Sequence, residues 1–136
     1  TGLPNRTLLS ERLSRAIIRA RRQESRVAVL FIDLDHFKDI NDSLGHAAGD
    51  RLLKAAAARL QAAVGPTDTV ARLGGDEFTI IVEDLDSVDS AGRLARELLA
   101  AFSLPLEVDE RHNASITPSI GISLYPDHAM VPTDLL

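Results

Sequence analysis

The sequence predicts an α+β sandwich in which helices pack on a central, mostly antiparallel sheet. Three observations lead there. Residues Val27 to Ile32 form an unbroken apolar run rich in β-branched side chains, as expected of a strand covered on both faces. Two shorter apolar runs flank Gly74-Gly75-Asp76, a hairpin signal because glycine supplies the positive φ of tight turns. Several other segments repeat apolar residues at helical spacing, which gives the order helix, strand, helices, strand hairpin, helix, strand.

The elements follow in chain order. After Gly2-Leu3-Pro4-Asn5, the residues Leu9, Leu13, Ala16, Ile17 and Ala20 mark an amphipathic helix with Arg15, Arg19, Arg21 and Arg22 facing outward. The central strand then ends abruptly at Asp33-Leu34-Asp35. A short helix is expected from Phe37 to Asp42, then a loop holding Gly45 and Gly49, then a longer helix with Leu53, Ala56, Leu60 and Val64 on one stripe, stopped by Gly65-Pro66. Val70 to Leu73 and Phe78 to Val82 are the hairpin strands. A helix capped at Asp86/Ser87 carries Ala91, Leu94, Ala95, Leu98, Leu99 and Phe102. A short strand near Leu106 to Val108 and a longer one from Ile116 to Leu124 follow. In the latter, Pro118 withholds a ladder donor and suggests a bulge or an edge position. Residues Pro132 to Leu136 read as the start of a further helix.

A chain of 136 residues, 45% hydrophobic and 26% charged, suits one compact domain. The net charge of −5 argues against nucleic acid as a partner, so a phosphate ligand must be held locally by a metal or by a few placed cations. With no cysteine there are no disulfides and no thiolate metal sites. No apolar stretch approaches the roughly 20 residues of a membrane span and no signal peptide is visible, so a cytoplasmic domain without membrane contact is expected. The opening Thr1, in place of an initiator methionine, reads as the start of a piece cut from a longer protein.

Chemistry concentrates where apolar strands give way to carboxylates. Asp33 and Asp35 end the central strand, and Asp76 and Glu77 sit at the hairpin turn. If the hairpin lies beside the central strand, these carboxylates converge at one sheet edge. Hard cations such as Mg²⁺ take one or two carboxylates together with substrate phosphates. Gly74 and Gly75, lacking side chains, let a phosphate approach the backbone. Metal-assisted phosphoryl chemistry is the reading these features share. Each alone has a plainer reading: a solvated strand end, an ordinary turn, a loop-capping His46, a solvated Lys38.

The motif Arg72-Leu73-Gly74-Gly75-Asp76-Glu77-Phe78 resembles the signature of the GGDEF family of diguanylate cyclases. Phe31-Ile32-Asp33-Leu34-Asp35, with Phe37-Lys38, Asn41-Asp42, Gly45-His46 and Gly49-Asp50, is similar to a second family block in order and spacing. Thr1 to Arg6 looks like the opening motif, and Ser119-Ile120-Gly121-Ile122 with Tyr125-Pro126 looks like the late strand.

The resemblance implies a fold similar to the palm of nucleotide cyclases and polymerases, and the condensation of two GTP molecules to cyclic di-GMP. It implies two Mg²⁺ or Mn²⁺ ions per site, with Asp33, Asp76, Glu77 and the Leu34 carbonyl as ligands. Asp76 matches the family's proposed general base, and Lys38 would stabilise phosphate charge. Asn41 and Asp50 match guanine-reading positions, while His46 and Phe37 would line the nucleotide pocket beside Gly75. Each domain of the family holds one GTP, so catalysis would bring two copies face to face, with attached sensory or receiver domains supplying the pairing; an EAL phosphodiesterase domain is a further expected attachment.

Two departures from the pattern stand out. Many relatives carry an inhibitory product site, Arg-x-x-Asp, just upstream of the signature; here the window is Gly65-Pro66-Thr67-Asp68, so Asp68 stands without the arginine and weak or absent feedback inhibition is expected. The basic residues that the family's final helix offers to phosphate would lie beyond Leu136, and the acidic motif before the opening block is absent, so the domain reads as truncated at both ends. Two functional readings stay open: an active cyclase, and a non-catalytic GTP-binding module that regulates a linked EAL phosphodiesterase, which the stretch from Phe102 to Tyr125-Pro126 also resembles.

Overall fold

A computed structural model describes residues 5–107 and 113–127. The opening Thr1 to Pro4, Val108 of the expected short strand and the expected helix at Pro132 to Leu136 lie outside the described residues. Helix α1 spans Arg6–Gln23, β1 Arg26–Leu34, α2 Phe37–Leu44, α3 His46–Ala63, β2 Thr69–Gly74, β3 Glu77–Leu85, α4 Val88–Ala101, β4 Leu106–Glu107, β5 Asn113–Ala114 and β6 Pro118–Tyr125. Strands β2-β3-β1-β6 form one antiparallel sheet in that order, and β4 pairs with β5 in a small second sheet.

The unbroken apolar run of β1 is explained by its place in the middle of the sheet. Ala28, Leu30, Ile32 and Leu34 pack with Phe78, Ile80 and Val82 of β3 beneath α3 and α4. Val27 and Val29 point the other way, joining Ile81 and Ala71 beneath Leu9, Leu13, Ala16, Ile17 and Ala20 of α1. The alternation is the period-2 geometry of a strand with both faces covered.

Caps set the helix limits. The Asn5 side chain accepts a hydrogen bond from the Leu8 amide (3.0 Å) and opens α1. Ser87 alone caps α4, accepting from the Ser90 amide, whereas Asp86 offers its carbonyl to Arg26. At the other end of α4, Arg59 of α3 donates to the carbonyl of Ala101 (3.1 Å), an acceptor the helix end leaves open, and to those of Leu104 (2.6 Å) and Pro105 (3.3 Å) in the turn that follows.

Three local expectations are corrected. Gly49 is not in a loop: α3 begins at His46, and Gly49 is buried in its first turn. The break lies at Gly45 alone, whose φ of +93° only glycine takes easily. Leu99 lies on the outer flank of α4, 43% exposed, rather than on its packed stripe. The late strand starts at Pro118 and leaves Ile116 outside the ladder, buried in the core; β6 is an edge strand with proline at its first residue, where a missing donor costs least.

Candidate functional site

Because β1 and β3 run antiparallel, the end of one meets the start of the other. Asp33 stands directly opposite Glu77, and the Leu34 amide donates to the Asp76 carbonyl (3.2 Å). Residues opposed in this way share a face of the sheet. The Asp33 and Asp76 carboxyl groups therefore lie near enough for the charge of one to act on the other. The Asp33 carboxyl is held above the ordinary carboxylate range, first by partial desolvation at the strand end, then by the charge and hydrogen bond of Asp76, then by Glu77 and Asp35. Asp33 remains exposed, so water screens much of this effect.

The turn leaving β1 is pinned to the neighbouring edge strand. Asp35 donates its amide to the Thr117 carbonyl (2.9 Å) and accepts at Oδ1 from the Ser119 hydroxyl (2.7 Å). That fixes Asp35 against β6 and leaves Asp33 and Asp76 as the paired acids. His36 follows in the left-handed region (φ 61°), uncommon for a residue with a side chain, and launches α2 at Phe37. A cleft of about 290 Å³ lies here, lined by Asp33, Leu34, Asp35, Phe37, Lys38 and Asp76 among others. The unsatisfied amides of the first turn of α2 belong to this same segment and favour an anion. Lys38 is exposed at the rim, and Phe37 packs partly into the core.

In the turn that precedes Asp76, Gly74 (φ 153°) and Gly75 (φ 51°) both adopt positive φ, and a Cβ built on either would meet only open space. The Gly75 carbonyl accepts from Arg72 Nε (2.9 Å), so the arginine before the signature braces the turn that carries Asp76.

Asn41, His46 and Asp50 gather at the α2–α3 junction, along the chain from the carboxylates. Asn41 Nδ2 lies 3.2 Å from His46 Nδ1, the Gly45 amide donates to the Asn41 carbonyl (2.9 Å), and Asp50 is exposed in the first turns of α3. Asp68 stands apart from both groups. Its carboxylate accepts from the Gly65 amide (2.9 Å) and from the Glu83 amide (3.1 Å), at the opposite end of β3 from Glu77. Its two oxygens are thus engaged by backbone within the domain. The bonds that Ser119, Arg72 and Asp68 make are not legible in the sequence, because their partners are set by strand pairing and turn geometry rather than by any local pattern.

Among the described residues no group of three or more His, Asp or Glu side chains stands ready as a cation cage. Two carboxylates with the Leu34 carbonyl still fit Mg²⁺ or Mn²⁺, which complete their shell from substrate phosphates and water rather than from protein alone. The upward pull on the Asp33 carboxyl also fits: it is what neighbouring acids without a countercharge exert on one another.

The family profile described as diguanylate cyclase, GGDEF domain, matches residues 1–136. Diguanylate cyclase TpbB of Pseudomonas aeruginosa is 46% identical over 136 residues, which is 100% of this chain and 31% of that protein. The bifunctional diguanylate cyclase/cyclic di-GMP phosphodiesterase MucR of the same organism is 47% identical over 136 residues, 100% of this chain and 20% of that protein. The chain thus spans a third or less of these relatives. The crystal structure of the GGDEF domain of TpbB superposes with a TM-score of 0.95 at 45% identity, covering 98% of this chain and 83% of that one. By profile, sequence and fold together, the chain belongs to the GGDEF domain family of diguanylate cyclases.

Proposed function

We propose that this domain binds GTP with divalent cations and, paired with a second copy, condenses two GTP into cyclic di-GMP and pyrophosphate. The observation that carries the proposal is the meeting of Asp33 with Asp76 and Glu77, through the pairing of β1 with β3, at a cleft that α2 enters with its N-terminus. In each of two equivalent steps, the 3′-oxygen of one nucleotide bonds to the α-phosphorus of the other, the bond to pyrophosphate breaks, and the 3′-hydroxyl proton leaves. Asp76 accepts that proton. Asp33, Asp76, Glu77 and the Leu34 carbonyl would hold two Mg²⁺ or Mn²⁺ ions, which would neutralise phosphate charge when bound. Lys38 adds a positive charge at the rim. The Gly74-Gly75 turn leaves room for the phosphates to reach backbone.

At the α2–α3 junction, Asp50 accepts from the ring N–H and exocyclic amine of guanine, a donor pair that adenine lacks, while Asn41 supplies a further amide contact and His46 and Phe37 form the wall. Losing one such buried match costs on the order of 1–3 kcal/mol, enough to favour GTP over ATP. The two-fold symmetry of the product matches a symmetric pair of domains. Pairing falls to domains attached to this one, in keeping with the small share of TpbB and MucR that the chain spans. A second reading, in which the domain binds GTP and regulates a linked phosphodiesterase, is supported by the likeness to the cyclic di-GMP phosphodiesterase NbdA of Pseudomonas aeruginosa, 40% identical over 136 residues. Incubating the parent protein with GTP and Mg²⁺ separates the two. Cyclic di-GMP from wild type and none from Asp76→Ala is the outcome of the first. GTP binding with no product from either protein is the outcome of the second.

No helix among the described residues is long and apolar enough to cross a membrane. We propose a cytoplasmic domain, which GTP as substrate requires.

A further inference from the structure

Gly49 is buried in the first turn of α3 with ordinary helical geometry, so the backbone does not need a glycine there. Space does. A Cβ built on Gly49 would collide with Asn41 Oδ1, and the three nearest atoms it would meet all belong to the Asn41 side chain. The missing side chain of one helix therefore houses the amide oxygen of a residue on another. The other half of that amide is held as well, because Nδ2 lies 3.2 Å from His46 Nδ1. Since an amide nitrogen only donates, His46 must present Nδ1 as the acceptor and keep its proton on Nε2. The junction is itself fixed by Gly45, whose amide donates to the Asn41 carbonyl and whose carbonyl accepts from the Gly49 amide (3.1 Å).

We infer that Gly49 and His46 are positioning residues that lock the Asn41 amide in one orientation and so set the selectivity of the domain for the guanine base. This rests on the proposal that Asn41 touches the base. An asparagine side chain free to rotate offers its donor and acceptor in exchanged positions and loses its power to discriminate. Here the oxygen is seated over Gly49 and the nitrogen against His46, so the remaining lone pair and N–H are presented in a fixed order. The fold itself has little stake in this. The only atoms in the way of a Cβ are the far end of one flexible side chain, and alanine is the better helix former, so Gly49→Ala should fold with an unchanged or higher melting temperature.

The test uses the chain with GTP and ATP titrated calorimetrically in the presence of Mg²⁺. Asn41→Ala should weaken GTP binding about tenfold, the equivalent of one lost hydrogen bond, and leave ATP binding nearly unchanged. Gly49→Ala should lower the GTP-to-ATP affinity ratio by the same factor, and the double variant should be no worse than either single one, because both remove a single interaction. In the nucleotide-free protein, the side-chain amide NMR signals of Asn41 should shift in Gly49→Ala and in His46→Leu. Wild-type selectivity in Gly49→Ala while Asn41→Ala loses it, fully additive losses in the double variant, or Asn41 signals unmoved by Gly49→Ala would each overturn the inference. An Asn41→Ala protein with undiminished GTP binding would instead overturn the assignment of Asn41 to the base, and the inference with it.

Discussion

Replacing Asp68 with alanine should unfold the domain more readily rather than alter its response to cyclic di-GMP. Asp68 accepts from the Glu83 amide (3.1 Å), which is partly buried, and from the Gly65 amide (2.9 Å), which is exposed. Hydrogen bonds to a charged acceptor contribute about 1.5–3 kcal/mol where the donor is then left without water. The Glu83 amide should lose most of that, and the Gly65 amide, open to solvent, only about 0.5 kcal/mol. The sum is about 2–3 kcal/mol, and for a domain of this size each kcal/mol lowers the melting temperature by roughly 3–5 °C. Asp68→Asn keeps one carbonyl oxygen but turns an NH₂ toward the second donor, so it should lose about half as much. Thermal and urea unfolding of the three proteins, with cyclic di-GMP titrated into each, is the assay. If Asp68→Ala melts within about 1 °C of wild type, the structural role is refuted. If wild type binds cyclic di-GMP below micromolar concentration and only Asp68→Ala loses it, Asp68 serves a product site despite Gly65.

Three further outcomes follow from the same geometry. The raised Asp33 pKa means the cation-free folded state holds that proton more tightly than the unfolded chain; its contribution is full below the ordinary 3.8 and is lost as pH rises through the folded value. In EDTA, Asp33→Asn should therefore melt above wild type at pH 7, with the gain shrinking as pH is lowered toward 3.8; a gain independent of pH would contradict this. Arg72→Ala, which removes the brace on the Gly75 carbonyl, should lower kcat several-fold while costing about 1 kcal/mol of stability, measured by turnover and melting together. Arg59→Ala, which frees the carbonyls of Ala101, Leu104 and Pro105, should cost about 2–3 kcal/mol in urea unfolding and leave GTP affinity unchanged.

The layered fold was legible in the sequence because its signals are local. The apolar run of β1, the stripe of α1 and the glycine turn each announce their element without reference to any other. Convergence of Asp33 with Asp76 also followed once the hairpin was placed beside β1. What could not be read depended on partners distant in the chain. Gly49 looked like a break because glycine usually is one, whereas here it is the cavity for an asparagine on the preceding helix. The two-residue strand β5 is too short to carry a period. Asp68 pairs with Glu83 through the hairpin, and Ser119 meets Asp35 across two strands, so neither bond exists until the sheet has formed.

The central claim is that Asp33 and Asp76 form one cation-dependent GTP site. Calorimetric titration of GTP into wild type and into the Asp33→Asn/Asp76→Asn double variant, each in Mg²⁺ and in EDTA, tests it most directly. The predicted result is that Mg²⁺ tightens GTP binding in wild type and makes no difference in the double variant. Equal affinity with and without Mg²⁺ in wild type, or an undiminished Mg²⁺ gain in the double variant, would contradict it.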